Sequence, residues 1–182
     1  MTSVEQPVTE AGTQSGRTAV DAEVVTDLHR LHGSSLFDFA RHQGLTDEQA
    51  ADAVQEALLR LWGELRQGSA IENPLAWTYR TTYRLAMDQH RWRRPLAGLL
   101  PRLAPRHPAY AGPEASDQLA VWATVDTLPP RQRQAVYLHY AADLTFEDVA
   151  SVLGISPSAA RTHASRGLAT LRQRLAIEEM DR

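Results

Sequence analysis

The sequence has no cysteine and no lysine, and it has no long apolar run. Without cysteine there is no disulfide framework, thiolate metal site or cysteine nucleophile, a composition that a reducing cytosol permits. No apolar run approaches the roughly 20 residues that cross a bilayer, and residues 1–16 are polar rather than signal-like, so we expect no membrane insertion. These absences predict a cytoplasmic protein, and 182 residues suffice for one modest core or two small ones.

Sites for chemistry are also scarce. The seven histidines never fall into a metal-ligand spacing with a second ligand type, and no phosphate-binding loop is present. Carboxylates such as Glu56, Glu64 and Asp88, or the imidazole of His90, could be read as an acid–base pair. No nucleophile accompanies them, and solvated or partner-facing acids explain them better. We therefore expect no catalysis, no cofactor and no metal.

The charged residues are unevenly distributed along the chain. All 19 basic residues are arginine, a choice that genomic base composition explains, but their clustering needs another reason. Residues 20–79 carry 4 arginines against 10 acids, whereas residues 80–106 carry 7 arginines against one acid. A further block, residues 158–174, has 4 arginines and no acid. Two separate basic blocks in an acidic chain indicate two surfaces for one polyanion and an acidic surface for another partner.

Apolar residues recur at three- and four-residue steps, and no convincing strand pattern appears, so the sequence predicts an all-α protein. We expect a disordered tail over residues 1–20 and helices from Asp21 onward, with a break near Gly33. Thr46 and Gln49 form a capping-box pattern that opens the next helix. Pro74 fits the first turn of a long helix that ends near Arg94.

A proline-rich segment divides the helical pattern into two small domains. Five of the ten prolines lie within residues 95–113, which predicts a linker over residues 95–117 between domains at 21–94 and 118–176, with a tail at 177–182. The second domain ends in a helix-turn-helix pattern. Thr145 opens the first helix, and the side chain of Asp148 can reach back to this cap. Gly154 ends the first helix, and Ser156 caps the second.

The second helix of this pattern has a polar and basic outer face. Such a face can reach base edges and phosphates in a major groove. Its residues are Arg161, Thr162, His163, Ser165 and Arg166. The alternative is an ordinary helical hairpin with a solvated basic face.

The earlier basic helix mixes aromatic and cationic side chains. Tyr79 and Tyr83 stand among Arg80, Arg84 and later arginines, a combination that suits unstacked bases and their phosphates and favours melted DNA. The tyrosines and arginines are predicted to be surface groups. Trp77 has the spacing of either a core residue or a DNA contact.

At these positions the chain resembles an extracytoplasmic-function (group IV) sigma factor of the sigma-70 family, over residues 24–94 and 119–175. Residues 52–62 (DAVQEALLRLW) resemble the family's polymerase-binding helix, and residues 74–80 (PLAWTYR), with 86–88 and 91–94, resemble its promoter-melting helix. Residues 128–133 (LPPRQR), 144–150 (LTFEDVA) and 153–156 (LGIS) resemble its helix-turn-helix domain. Ala160 and Ala164 replace larger apolar residues, which predicts closer helix packing or lower stability.

The resemblance implies a promoter-specificity subunit with three contact surfaces. Docking on the β′ clamp helices of core RNA polymerase would use Asp52, Gln55, Glu56, Leu59 and Trp62, and the β flap of the polymerase is a further implied contact. The melted minus-10 element would contact Asn73, Trp77, Tyr79, Arg80, Tyr83, Arg84, Arg91 and Arg93. Duplex DNA at minus-35 would be read by the second helix of the helix-turn-helix. The resemblance also implies an anti-sigma factor as a partner.

A stand-alone helix-turn-helix regulator is the competing interpretation. It explains the second domain but leaves the acidic helix, the aromatic-basic helix and the linker without a purpose. Such a regulator should dimerise and bind duplex DNA alone. An anti-sigma or purely structural protein would not need two arginine-rich surfaces.

Overall fold

The computed structural model describes residues 10–93 and 124–180, with side chains over 19–91, 124–174 and 176. The predicted linker at 95–117 and the outermost tail residues lie outside these ranges, as does the side chain of Arg93. The described parts consist of helices and turns without a β-strand, so the all-α prediction is confirmed. None of the described helices is long and apolar enough to cross a membrane.

The first three helices pack together as one bundle. They are α1 (Glu10–His42), α2 (Asp47–Arg66) and α3 (Pro74–Arg93). The capping box that opens α2 is confirmed, because Thr46 accepts from the backbone of Gln49 and the Gln49 side chain accepts from the backbone of Thr46. Asn73 caps α3 by accepting from the amide of Ala76 at 3.0 Å. Both loops therefore end in a side chain that satisfies a free backbone N–H at the helix start.

Helix α1 departs from two predictions. It begins at Glu10, so residues 10–20 are helical rather than a disordered tail, and it continues through Gly33 without a break. A glycine inside a helix costs about 1 kcal/mol relative to alanine. Packing offsets that cost, because Leu28 precedes Gly33 and Leu36 and Phe39 follow it, and all three are buried in the core.

Within the described residues, the second part of the chain starts with helical residues at 124–126, followed by three further α-helices and a π-helical turn. These are α4 (Pro130–Val136), the π-helical turn Tyr137–Ala141, α5 (Phe146–Leu153) and α6 (Pro157–Met180). Helix α6 extends to Met180, so residues 177–180 are helical rather than part of a tail.

Helices α5 and α6 form the predicted helix-turn-helix. Thr145 accepts from the amide of Asp148, and Gly154 ends α5 in the left-handed conformation at φ 66°. The carboxylate of Asp148 accepts from the Thr145 hydroxyl rather than from its backbone. Ser156 caps α6 by accepting from Ala159.

The two predicted domains pack directly against each other. Helix α3 lies against α5, and one core cluster contains residues of both domains. Polar contacts cross the same interface. The Asp126 carboxylate accepts from His42 Nδ1 at 2.6 Å, and the buried amide of Gln134 donates to Gln43 at 2.7 Å. The relative position of the domains is therefore held by specific hydrogen bonds as well as by apolar burial.

Candidate functional site

The outward face of α2 combines acids with exposed apolar side chains. Asp52 and Gln55 are exposed, and Glu56 forms an ion pair with Arg60 at 2.7 Å. Leu59 is 53% exposed and Trp62 is 37% exposed. Spacings of three and four residues put these five predicted polymerase contacts on one side of the helix. A large exposed apolar side chain beside acids is typical of a protein-binding face.

Helix α1 completes this face with a groove. A cavity of about 660 Å³ runs between α1 and α2, and the predicted contacts Gln55, Leu59 and Trp62 line its α2 side. Val25 and Phe37 line the α1 side. Sequence reasoning missed the contribution of α1, because these side chains follow the same apolar periodicity as the core.

A second missed residue is Arg66, whose guanidinium carbon lies 5.2 Å from the Trp62 ring centroid. The spacing of four residues on a helix was the available signal, since such pairs share a face. The arginine holds the indole of Trp62 against the helix.

Five of the eight predicted minus-10 contacts lie on one stripe at helix α3. Asn73, Trp77, Arg80, Arg84 and Arg91 fall on the same side at 3.6 residues per turn. Arg84 and Arg91 are exposed, Arg80 is half-buried, and Trp77 is half-buried against the core. Trp77 thus packs on the core while keeping part of its indole at the surface.

Tyr79 lies off this stripe; it was predicted to be a surface group and is fully buried. Its ring packs edge-on against Phe39, with centroids 5.3 Å apart, and burial raises the pKa of its hydroxyl. The buried residues of α3 are Ala76, Thr78, Tyr79, Thr82 and Ala86. Because two of these are threonines, the apolar pattern that would have identified Tyr79 as core is weak. Tyr79 is therefore a core residue and not a DNA contact.

Two of the predicted minus-10 contacts are engaged by the second domain. The side-chain amide of Asn73 donates to the carboxylate of Asp148 on α5 at 3.0 Å. The guanidinium of Arg131 donates to the Tyr83 hydroxyl at 3.3 Å. In this arrangement the helix-turn-helix domain covers part of the α3 surface.

The outer face of α6 presents the predicted minus-35 contacts. Arg161, Thr162, Ser165 and Arg166 are exposed and lie on one side of the helix, while His163 is half-buried at its edge. The opposite side is close-packed, because Ala160 and Ala164 are buried where α6 meets the rest of the domain. Closer helix packing or lower stability at these two alanines stays a prediction.

The Thr162 hydroxyl donates to the carbonyl of Ser158. The hydroxyl oxygen can therefore only accept a hydrogen bond from a ligand in this arrangement. Of the described side chains, no three histidine, aspartate or glutamate residues come close enough together to hold a metal ion.

Family models match both halves of the chain. The model for Sigma-70 region 2 matches residues 28–95, and the model for Sigma-70, region 4 matches residues 118–171. Together the two ranges span more than half of the chain, in the order that the sequence resemblance implied. The chain belongs to the sigma-70 family, in its extracytoplasmic-function group.

Characterised relatives agree with this assignment. The sigma factor is 34% identical to the ECF RNA polymerase sigma factor SigJ of Mycobacterium tuberculosis over 137 residues, which are 66% of this chain and 41% of SigJ. It is 29% identical to the RNA polymerase sigma factor CarQ of Myxococcus xanthus over 161 residues, 85% of this chain and 91% of CarQ. The sigma factor thus spans about two fifths of SigJ and nearly all of CarQ.

The fold of the sigma factor matches a solved complex. The sigma factor RpoE of Bartonella quintana, crystallised with the anti-sigma factor NepR, superposes with a TM-score of 0.66. The match covers 84% of this chain and 96% of RpoE at 24% identity, so it supports the fold alone.

Proposed function

We propose that this sigma factor binds core RNA polymerase, directs it to a promoter with minus-10 and minus-35 elements, and helps to open the duplex. It acts in the cytoplasm on DNA-bound polymerase and performs no chemistry of its own. The observation that carries the proposal is the separation of three chemically different faces on three helices. An acidic and apolar face lies on α2, an arginine stripe on α3, and a polar basic face on α6.

The α2 face supports docking on the β′ clamp helices. Leu59 and Trp62 supply apolar area that a partner can bury, and Asp52 and Glu56 supply charge that selects a basic partner. The second domain would contact the β flap. No residue of that second contact is singled out by exposure or charge.

The α3 stripe supports binding of a melted strand. Exposed guanidiniums of Arg84 and Arg91 suit phosphates, and the exposed part of Trp77 offers a surface for base stacking. Extruding a base costs roughly a few kcal/mol in lost stacking, which these contacts and polymerase binding must offset.

The α6 face supports duplex readout at minus-35. Arg161 and Arg166 carry N–H donors in the plane of the guanidinium, and these can donate to guanine or to phosphate.

Contacts between the domains cover part of the proposed minus-10 surface. One amide hydrogen of Asn73 goes to Asp148, and the Tyr83 hydroxyl accepts from Arg131, so a melted strand that binds both groups must displace these contacts. We infer that docking on polymerase separates the domains and that a closed form exists before it. The related fold of RpoE is bound by an anti-sigma factor, and we propose a partner of that class for this chain.

Run-off transcription tests the proposal. Core polymerase of the source bacterium is assayed with and without the protein on a genomic promoter library. We expect protein-dependent transcripts whose start sites share two spaced upstream elements. Absence of such transcripts, together with tight binding of the protein alone to duplex DNA, would instead favour a stand-alone helix-turn-helix regulator.

A further inference from the structure

Three side chains lie against one another beside the proposed minus-35 face. They come from the π-helical turn, from the first residue of α5, and from α6, and they are His139, Phe146 and Arg161. The ring centroids of His139 and Phe146 are 4.0 Å apart with planes inclined by 26°. The guanidinium carbon of Arg161 lies 4.9 Å from the Phe146 ring centroid. The phenyl ring therefore has an imidazole near it as well as a cation.

The ring of Phe146 is fixed by its surroundings. His139 Nδ1 donates to the carbonyl of Leu144 at 2.7 Å, which sets the imidazole plane that Phe146 stacks on. Phe146 itself is half-buried and packs against the core that α5 shares with α6. A ring held on these sides offers a stationary surface to the exposed arginine.

A cation–π contact restricts a guanidinium without using its N–H groups as hydrogen-bond donors. Those N–H groups stay available to a ligand. Among the described side chains no carboxylate lies within ion-pair distance of Arg161, so its charge is not committed to a partner in the fold. An arginine ordered in advance loses less side-chain entropy when it binds.

We propose that Phe146, supported by His139, is a positioning residue that orients Arg161 for base readout in the duplex. The inference rests on the proposed role of α6 at minus-35 and names a determinant of that role outside the recognition helix. Phe146 touches no DNA. It acts by restricting where the Arg161 guanidinium lies.

The test uses reconstituted holoenzyme and duplex oligonucleotides. The oligonucleotides carry the minus-35 element found by run-off transcription and each of its single base-pair changes. The variants are Phe146→Leu, which keeps an apolar plug, Phe146→Tyr, which keeps the aromatic face, and Arg161→Ala. Leu31→Ala is the control, because Leu31 is an exposed apolar residue of α1 that lies outside the three proposed faces and outside this stack.

We expect Phe146→Leu to weaken binding of the preferred duplex about two- to fivefold, as the loss of an exposed cation–π contact predicts. Phe146→Leu should also reduce the preference for the native base pair, at the same position of the minus-35 element at which Arg161→Ala reduces it. Phe146→Tyr should restore both properties, and Leu31→Ala should change neither. In an Arg161→Ala background, Phe146→Leu should have no further effect on binding. If Phe146→Leu does not fold, Phe146→Met takes its place in the double-mutant comparison with Arg161→Ala.

Two results would overturn the inference in distinguishable ways. If Phe146→Leu weakens binding equally with and without Arg161 and leaves base preference intact, Phe146 only supports the fold. If Arg161→Ala changes neither affinity nor preference, the proposed role of Arg161 at minus-35 fails, and the positioning role fails with it.

Discussion

Asn73 and Asp148 join the start of the predicted melting helix to the first helix of the helix-turn-helix, through a hydrogen bond of 3.0 Å. Asn73 also caps α3, and Asp148 also accepts from the Thr145 hydroxyl, so each residue serves its own helix as well as the interface. Domain packing and helix capping therefore depend on the same two side chains.

Replacing Asn73 with aspartate should loosen the closed arrangement. Asn73→Asp keeps the ability to cap α3 but places a carboxylate against Asp148, which replaces a contact worth about 1–3 kcal/mol with repulsion. Because the chain has no native cysteine, spin labels at Glu48→Cys and Gln173→Cys report the interdomain distance without background. We expect a longer and broader distance distribution.

The matched control is the exchange of the two side chains. Asn73→Asp combined with Asp148→Asn restores a donor opposite an acceptor, and we expect it to recover the native distance. An unchanged distribution in Asn73→Asp alone would show that apolar burial holds the domains without this bond.

Substitution of Gly167 by alanine should destabilise the second domain. A Cβ at Gly167 would lie 2.6 Å from Val136 Cγ2 on α4, well inside van der Waals contact. Overpacking of this kind costs about 1–3 kcal/mol of unfolding free energy, measured by urea denaturation. Val136→Ala in the same chain should recover part of the loss. Gly63→Ala is the control, because its Cβ meets nothing within 4 Å, and we expect it to be neutral or mildly stabilising.

At neutral pH the protein with Asp38 should be less stable than the Asp38→Asn variant. Burial raises the pKa of the Asp38 carboxyl, and the neighbouring His42 imidazole opposes that rise. The folded state therefore binds the proton more tightly than the unfolded state. The stabilisation that comes from this tighter proton binding is fully present below the ordinary aspartate pKa. It is lost as the pH rises through the raised pKa of Asp38 in the folded state.

We therefore expect Asp38→Asn to raise the urea midpoint at neutral pH and the gain to shrink as the pH falls through the Asp38 pKa. Asp27→Asn, an exposed acid on the same helix, should show a much smaller effect. A gain of equal size at acid and neutral pH would contradict the assigned cause.

The α2 and α6 faces should lose different functions when they are altered. Leu59→Ala with Trp62→Ala should reduce affinity for core polymerase at least tenfold, since large apolar anchors dominate interface energies. Arg161→Ala with Arg166→Ala should leave that affinity intact and cost about 1–3 kcal/mol per base-specific contact at minus-35. Fluorescence anisotropy with core polymerase and with promoter duplex separates the two effects. The same defect from both pairs would contradict the division of roles.

Local capping chemistry was largely predictable from sequence. Thr46, Thr145 and Ser156 cap helices where the pattern places them, and Gly154 has the left-handed conformation that ends α5. These features depend on neighbouring residues alone, so a sequence window contains their cause. The all-α class followed from the same kind of local periodicity.

The features that could not be predicted from the sequence depend on contacts between residues far apart in the chain. Thr78 and Thr82 are buried on α3 although threonine is usually exposed, and they concealed the core position of Tyr79. Gly33 stays helical because its neighbours pack on α2 and α3. The hydrogen bond between the buried amides of Gln43 and Gln134 joins residues far apart in the chain, and no local pattern marks such a pair.

The bond between Asn73 and Asp148 makes the helix-turn-helix domain an internal competitor for the α3 surface. The carboxylate oxygen of Asp148 accepts from the Asn73 amide, which is the group that we assign to a base of the melted strand. Because the competitor is tethered, its effective concentration is set by the intervening chain and not by the amount of protein in the cell. Raising the level of this sigma factor therefore cannot relieve the competition, whereas any partner that holds the domains apart relieves it completely.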